Sequence, residues 1–264
     1  MSTQYVIAPE APQVPPYEPE AMAQGLAMQL AEFVAPLFLS LDRVMDKRLV
    51  RTVLHTVQVI ITFRDRVNGL VLSELGGYLT HPSKGPAGTK RLSNLVHSLK
   101  WKAEDVDAFL WQQADQQVET WHQEGEVGVA IWDSSEWEKP QSEASEDLCA
   151  VRSSKAKRLT HIKPGYFSPP GKPIFVPGWQ WLAVLVVGLS SRQGPPKLAL
   201  MRWGSSRGPH ASFKRDEEGR LLIDWLRQWG SKVIHVFDQG FASAFWLGLL
   251  LCFQLRFVLR WKRN

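Results

Sequence analysis

Two aspartates follow short apolar runs, a pattern that α/β proteins use to place catalytic or metal-binding carboxylates. Asp133 follows VGVAIW (residues 127–132), and Asp238 follows KVIHVF (residues 232–237). Each run is short and rich in β-branched residues, which predicts a buried strand. Two strand-end carboxylates can supply the oxygen ligands that two-metal catalysis needs. Asp is also a favoured helix N-cap, so each aspartate has a purely structural alternative.

The segment after Asp238 combines an apolar helix with a basic strand. Phe241–Leu255 has helical spacing with apolar residues on nearly all sides, and Phe257–Trp261 predicts a further strand. Four cations lie in and around that strand, namely Arg256, Arg260, Lys262 and Arg263.

These motifs resemble the catalytic part of bacterial insertion-sequence DDE transposases, which have an RNase H-like fold. The matching text is HVFDQGFAS and FVLRWKRN, together with the upstream Asp133, and the similarity covers roughly residues 126–264. The resemblance implies that Asp133 and Asp238 are catalytic and bind Mg²⁺ or Mn²⁺. It also implies double-stranded DNA at transposon ends as the partner, the basic strand near the DNA backbone, and a possible homodimer.

The chain departs from the family pattern in its third carboxylate. The family carries a Glu on a helix well beyond the basic strand, whereas this sequence stops at Asn264. We therefore expect a C-terminally incomplete transposase that is inactive alone, since losing a metal ligand cuts catalysis by orders of magnitude. Two alternatives stay open: a catalytically dead DNA-binding protein of the same descent, and an unrelated α/β protein whose aspartates are caps.

The expected fold class is α/β, with an N-terminal helical domain followed by an RNase H-like mixed sheet with flanking helices. Residues 1–20 carry five prolines and predict a disordered lead-in. Residues 21–124 form the predicted helical, DNA-binding domain, and residues 125–264 form the partial catalytic core. Within the core, Trp179–Ser190 and Leu198–Trp203 predict strands, and Asp216–Gly230 predicts an amphipathic helix before the Asp238 strand.

The predicted helical domain carries scattered cations. Its expected helices span residues 21–40 (with Pro36 as a kink or end), 49–67, 70–79 and 102–119, with a loop at 81–89. Candidate phosphate contacts are Arg51, Arg64, Lys84, Lys90, Arg91, Lys100 and Lys102. The alternative is a solvated helix face, and no base-reading side chain stands out.

A second basic segment follows the Asp133 strand. Residues 151–163 carry the candidate DNA contacts Arg152, Lys155, Lys157 and Arg158, and a solvated loop is the alternative. Glu136 and Glu138 are close to Asp133 in sequence. If the strand continues, alternation places Asp133 with Ser135 and opposes both to these glutamates, so neither is a predicted metal ligand.

Composition narrows the function classes. The 264 residues are 44% hydrophobic, with a net charge of +5 and a pI near 9.2, which suits phosphate binding without proving it. Two cysteines are too few for a disulfide framework, which favours a reducing cytoplasm. No secretory signal opens the chain, and the apolar runs 179–189 and 241–255 are too short to span a membrane. Twelve tryptophans are typical of an α/β domain with a well-buried core, and His235, inside a predicted strand, is interpreted as a core residue. The sequence contains no Walker, paired CxxC or GxSxG motif.

Overall fold

A computed structural model describes residues 19–62, 71–100, 102–139, 148–153, 174–207, 211 and 214–261. Internal contacts divide the chain into two compact units, Met1–Asp105 and Val106–Asn264. The division falls earlier than the predicted boundary at residues 124 and 125. The reason is that the helix after Asp105 shares its core with the sheet, through Ala114, Val118 and Trp121. The predicted lead-in at residues 1–18 lies outside the described residues.

The first unit is helical. Its elements are α1 (Pro19–Val44), α2 (Lys47–Thr62), α3 (Leu72–Leu79), a 3₁₀ turn (Pro82–Lys84) and α4 (Gly85–Val96). Helix α1 continues through Pro36, where the sequence predicted a kink or an end. Helix α4 begins inside the predicted loop, because Pro86 occupies its first turn, where the missing N–H costs no hydrogen bond.

Helices α3 and α4 approach each other through glycines. A Cβ added at Gly88 would lie 1.9 Å from the carbonyl oxygen of Gly76, so the two backbones touch. Around this contact α2, α3 and α4 share a small core of Val59, Leu75, Leu79 and Leu92. Two short helices joined by a tight turn are the elements from which helix-turn-helix motifs are built.

One stretch of the described chain, Gln24–Val44 in α1, is long and apolar enough to cross a membrane, judged by length and composition alone. Only 17% of that window is buried. Core helices and signal sequences pass the same test, so the stretch is weak evidence for a membrane segment.

The second unit contains a mixed sheet and three helices. Its elements are α5 (Ala103–Gln123, from Val106 on), β1 (Gly128–Glu138), β2 (Cys149–Arg152), β3 (Phe175–Gly188), β4 (Lys197–Gly204), α6 (Lys214–Asp224), a 3₁₀ segment (Leu226–Lys232), β5 (Val233–Phe237), α7 (Ala244–Cys252) and β6 (Phe257–Leu259). The predicted strands and helices of this region are all present, with shifted ends. Strand β2 was not predicted, and β1 runs past Asp133 instead of ending there.

The sheet joins antiparallel and parallel strands. Its order is β2-β3-β1-β5-β6, and β4 pairs with β3 beside β2. Strands β1, β3 and β4 pair antiparallel, whereas β5 is parallel to both β1 and β6. The α6 helix and its 3₁₀ extension supply the crossover that a parallel β5 requires.

Helices α5, α6 and α7 cover one face of this sheet. Trp132 of β1 packs against Phe237 of β5 with ring centroids 5.2 Å apart, and against Trp246 of α7 at 5.4 Å. Both sheet residues belong to one core cluster with Leu222 of α6 and Val118 of α5. The opposite face is more open, since Ile131, Met201 and Val258 are exposed.

His235 is a core residue, as predicted. It is fully buried in β5, and the indole Nε1–H of Trp132 donates to its Nδ1 at 3.2 Å. Among the described residues its Nε2 has no hydrogen-bond partner. Burial lowers the pKa of His235 to about 4, because the charged imidazolium cannot be solvated there.

Candidate functional site

The two predicted aspartates directly follow the last registered pair of two neighbouring strands. Strands β1 and β5 are parallel, and their last registered pair is Trp132 with Phe237. Asp133 follows Trp132, and Asp238 follows Phe237. Because neighbouring strands lie about 4.8 Å apart, equivalent positions of this kind bring their side chains into reach of one ligand.

Both aspartates point away from the helix-covered face. Trp132 and Phe237 are buried, whereas Asp133 and Asp238 are exposed, as alternation along a strand requires. Asp238 keeps an extended backbone (φ −77°, ψ −179°), which continues the direction of β5. The carboxylates therefore stand on the open face of the sheet.

Arg260 extends this row by one strand. Strands β5 and β6 pair in parallel up to Phe237 with Leu259, and the Arg260 N–H donates to the Phe237 carbonyl at 3.1 Å. Arg260 therefore occupies the position beside Asp238, and its side chain is exposed. We call Asp133, Asp238 and Arg260 the catalytic row, after the role that the resemblance implies for the two aspartates. A guanidinium can bind a phosphate directly. The two carboxylates can bind the same phosphate only through a metal cation that lies between them.

Asp238 also performs the alternative role considered for it. Its Oδ1 accepts a hydrogen bond from the Gly240 N–H at 2.8 Å, so it caps the 3₁₀ turn Gln239–Phe241. A cap uses one carboxylate oxygen and leaves the other free to bind a ligand. Asp133 caps no helix, because it lies within β1.

Two of the other predicted cations, Arg256 and Arg152, are described by the structure, and both lie outside the row. Arg256 is exposed, and its guanidinium donates to the Ser231 carbonyl at 3.2 Å. Arg152 ends β2 opposite Phe175, which is eight residues (183 − 175) along β3 from the partner of Asp133. Lys155, Lys157, Arg158, Lys262 and Arg263 lie outside the described residues.

Glu136 and Glu138 bind the backbone and side chains near β2. Glu136 Oε2 accepts from the Arg152 N–H at 2.8 Å, and Glu138 Oε2 accepts from the Ser153 hydroxyl at 2.7 Å. By strand alternation both glutamates oppose Asp133, as the sequence predicted. They are structural partners of β2 and not ligands of the catalytic row.

The donor set of the row suits a hard divalent cation. Asp133 and Asp238 offer carboxylate oxygens, and Mg²⁺ is commonly held by one or two carboxylates with water and substrate phosphates completing its shell. Within the described ranges no group of three or more His, Cys, Asp or Glu residues could hold a metal ion. The row thus offers two carboxylates as candidate metal ligands.

A cluster of four tryptophans lies on the same open face, and sequence reasoning missed it. Trp137 of β1, Trp179 and Trp181 of β3 and Trp203 of β4 have neighbouring ring centroids 5.3–6.1 Å apart. Trp137 and Trp203 are 44% and 49% exposed, so the expectation that the tryptophans are buried is wrong for these two. The period-two spacing of Trp179 and Trp181 was the available signal, because it places both rings on one face.

The first unit presents a strongly cationic segment. No acidic residue occurs between Glu74 and Glu104, and this segment includes helix α4. Its cations are Lys84, Lys90, Arg91, Lys100 and Lys102. Lys84 and Lys90 are exposed, whereas Arg91 is half-buried and donates to the Thr52 hydroxyl at 3.4 Å.

Comparisons with known proteins give few relatives. No protein-family model matches the sequence, and no curated protein matches it. The structure is similar to the Mos1 transposase paired-end complex with the left transposon end, with TM-score 0.24, 10% identity, and coverage of 76% of this chain and 57% of that chain. It is also similar to the Mos1 mariner paired-end complex with Mn, with TM-score 0.25, 10% identity, and coverage of 75% and 56%. This chain therefore spans little more than half of those chains, and TM-scores this low carry no weight for function.

Proposed function

We propose that this chain is a DNA transposase of the insertion-sequence DDE type, with an RNase H-like catalytic unit that cleaves and transfers DNA strands. The observation that carries the proposal is the catalytic row, in which β-strand register aligns Asp133, Asp238 and Arg260 on one open face. The motif around Asp238 and the antiparallel-then-parallel strand order support the same assignment.

Each residue of the catalytic row has its own proposed role. Asp133 and Asp238 would hold Mg²⁺ or Mn²⁺, since both are exposed carboxylates on adjacent strands. Bound there, the metal would activate water or a DNA 3′-hydroxyl and stabilise the leaving oxygen. Arg260 would bind a phosphate oxygen next to the scissile position and orient the DNA backbone across the strand ends. Arg256 lies just before β6 and would add a further backbone contact.

The helical unit would hold the DNA. Helix α4 follows α3 after a tight turn, and the exposed Lys84 of the turn and Lys90 of α4 lie in the acid-free segment. Such a helix pair places its second helix in the major groove, with cations on the phosphates. Double-stranded DNA is therefore the proposed partner of both units.

The test is metal binding by the aspartates. We expect Asp133→Asn and Asp238→Asn each to weaken Mn²⁺ binding to the full chain at least tenfold, measured from the EPR signal of free Mn²⁺. Asn keeps the size of Asp and removes the charge, and Asn is also an effective cap. Asp216→Asn is the matched control, because Asp216 is an exposed carboxylate in the first turn of α6.

Unchanged Mn²⁺ affinity in both row variants would reject the metal site. Nicking of plasmid DNA is the second readout, in the presence of Mg²⁺ or Mn²⁺. We expect any metal-dependent nicking by the wild-type chain to fall by orders of magnitude in either variant. With only two protein carboxylates in the row, we expect wild-type nicking itself to be slow.

A second candidate is a catalytically dead DNA-binding protein derived from a transposase. The observation that favours it is that the described residues contain no third acidic ligand beside the row. This protein would bind duplex DNA without metal-dependent cleavage. An electrophoretic mobility shift with duplex DNA would then be identical for the wild type and Asp133→Ala, and nicking would be absent from both.

A further inference from the structure

The four clustered tryptophans form a continuous aromatic surface. Trp137 and Trp179 are registered partners of β1 and β3, and Trp181 and Trp203 are registered partners of β3 and β4. Trp137 also contacts Trp203 across β3, with centroids 5.3 Å apart. The surface thus spans three strands, and its two outer rings are about half exposed.

This surface lies beside the catalytic row. Asp133 pairs with Ala183 of β3, and Ser135 pairs with Trp181, so the cluster begins two residues further along the same strands, or about 7 Å. Residues 133, 135 and 137 share one face by alternation. The aromatic surface and the carboxylates therefore face the same side of the sheet.

A cation accompanies the aromatic rings. The Nζ atom of Lys139 lies 3.9 Å from the centroid of the Trp137 ring. Proteins bind single-stranded nucleic acid through aromatic rings, on which the bases stack, and through nearby cations, which bind the phosphates. An ammonium group beside aromatic rings is such a combination. A protein segment that covered these rings would require only apolar contacts and no cation beside them.

We propose that the tryptophan cluster stacks unpaired nucleobases of the DNA strand whose phosphate lies at the catalytic row. The proposal rests on the proposed function, since it assumes that the row binds DNA. Its new content is the state of the substrate: the bases next to the scissile phosphate leave their partners and stack on Trp137 and Trp203. Stacking on the rings offsets the free-energy cost of unstacking the bases.

The experiment measures binding of a short oligothymidine and an abasic oligomer of equal length and charge. Both are titrated against the full chain in EDTA, so that neither metal nor cleavage contributes, and fluorescence anisotropy gives the affinity. We expect the wild-type chain to bind oligothymidine at least fivefold more tightly than the abasic strand, since stacking on aromatic rings is favourable for every base.

Conservative substitutions separate stacking from packing. Trp203→Leu keeps apolar bulk and should weaken oligothymidine binding about five- to tenfold, whereas Trp203→Phe keeps an aromatic face and should stay within about twofold of the wild type. Trp225→Leu is the control: Trp225 is half-buried and packs edge-to-face on Trp111, away from the cluster. A thermal melt of each variant confirms folding.

Two outcomes would overturn the inference. Equal binding of oligothymidine and the abasic strand shows that only the backbone is recognised, and equal loss in Trp203→Phe and Trp203→Leu shows that the ring does not act by stacking. Neither result bears on the proposed function. That function is rejected if Asp133→Asn and Asp238→Asn leave Mn²⁺ binding unchanged. Base-dependent binding with intact Mn²⁺ affinity in those variants would keep the stacking site and reject the metal site.

Discussion

At the scale of single residues, Asp238 combines a structural role with a proposed chemical one. Its Oδ1 caps the turn through the Gly240 N–H, while its carboxylate lies beside Asp133 and Arg260 in the register of the sheet. The two interpretations of a strand-end aspartate, cap or ligand, are therefore compatible. Charge matters to a metal ligand, whereas an N-cap requires only an acceptor oxygen.

This difference predicts distinct stabilities for two substitutions of Asp238. Asp238→Ala loses the cap and should lower the free energy of unfolding by about 1 kcal/mol, whereas Asp238→Asn should retain nearly all of it. Urea denaturation followed by circular dichroism measures both. Equal stabilities of the Ala and Asn variants would show that the hydrogen bond to Gly240 contributes nothing.

His235 makes the stability of the sheet depend on pH. Its pKa is about 4 in the folded chain and 6.5 for a free histidine, so the unfolded state binds more protons between these values. The free energy of unfolding should therefore fall as the pH drops from 6.5 towards 4, by up to about 3 kcal/mol. More than about one pH unit above 6.5 the residue is neutral in both states and contributes almost no slope.

The measurement is the urea midpoint at a series of pH values for the wild type and His235→Gln. Gln does not titrate and offers an acceptor oxygen to the Trp132 indole. We expect a smaller loss of stability towards acid pH in the variant. Parallel pH profiles would mean that His235 takes up no proton on unfolding.

At the scale of elements, glycines set how closely helices and strands approach. Gly88 of α4 touches the backbone of α3, and Gly128 of β1 lies under Trp121, whose ring would be 2.4 Å from an added Cβ. Helical periodicity predicted that α3 existed, but it could not show that α4 starts at Gly85 and packs on Gly76. The start of α4 depends on Pro86 and on this close packing, which involve neighbours distant in the chain.

Gly88→Ala should destabilise the helical unit. The added Cβ collides with backbone, which cannot rotate away, so the cost of overpacking of about 1–3 kcal/mol exceeds the gain in helix propensity of about 1 kcal/mol. Gly77→Ala is the matched control, since an added Cβ there meets only Pro82 Cα at 3.9 Å and should be neutral or stabilising. Guanidinium unfolding distinguishes the two. Equal effects of both substitutions would show that α3 and α4 are not closely packed.

At the scale of the whole molecule, a helical unit with a cationic segment accompanies a sheet unit with a carboxylate row. The net charge of +5 is modest, so nucleic-acid affinity depends on where the cations lie and not on their number. Within the acid-free segment, Lys84 of the 3₁₀ turn and Lys90 of α4 are exposed, and α4 itself carries no acidic residue.

The salt dependence of DNA binding tests this distribution of charge. If Lys84 and Lys90 each bind a phosphate, the double substitution to Gln should reduce the slope of log K against log salt by about 1.8. Arg220→Gln is the control, because Arg220 lies on α6 and is paired with Glu217 at 3.0 Å. An unchanged slope in the double variant would place the DNA contacts elsewhere on the chain.

The sequence alone determined most of the strands of this protein. Apolar runs predicted β1, β3, β4, β5 and β6, because alternation and β-branched residues report backbone conformation directly. The same runs placed Asp133 and Asp238 after buried residues, and the motif at Asp238 indicated the chemistry. Each of these inferences depends on neighbours within a few positions of the residue concerned.

Only the tertiary structure decided which of these residues meet. Asp133 and Asp238 are separated by 105 positions (238 − 133), and their alignment depends on the parallel register of β1 and β5. The same long-range pairing placed Arg260 beside Asp238, paired Arg152 with Phe175 at the other end of β3, and gathered four tryptophans on the open face. Register follows from which face of each strand the helices bury, and that packing is a property of the assembled core, not of any one segment.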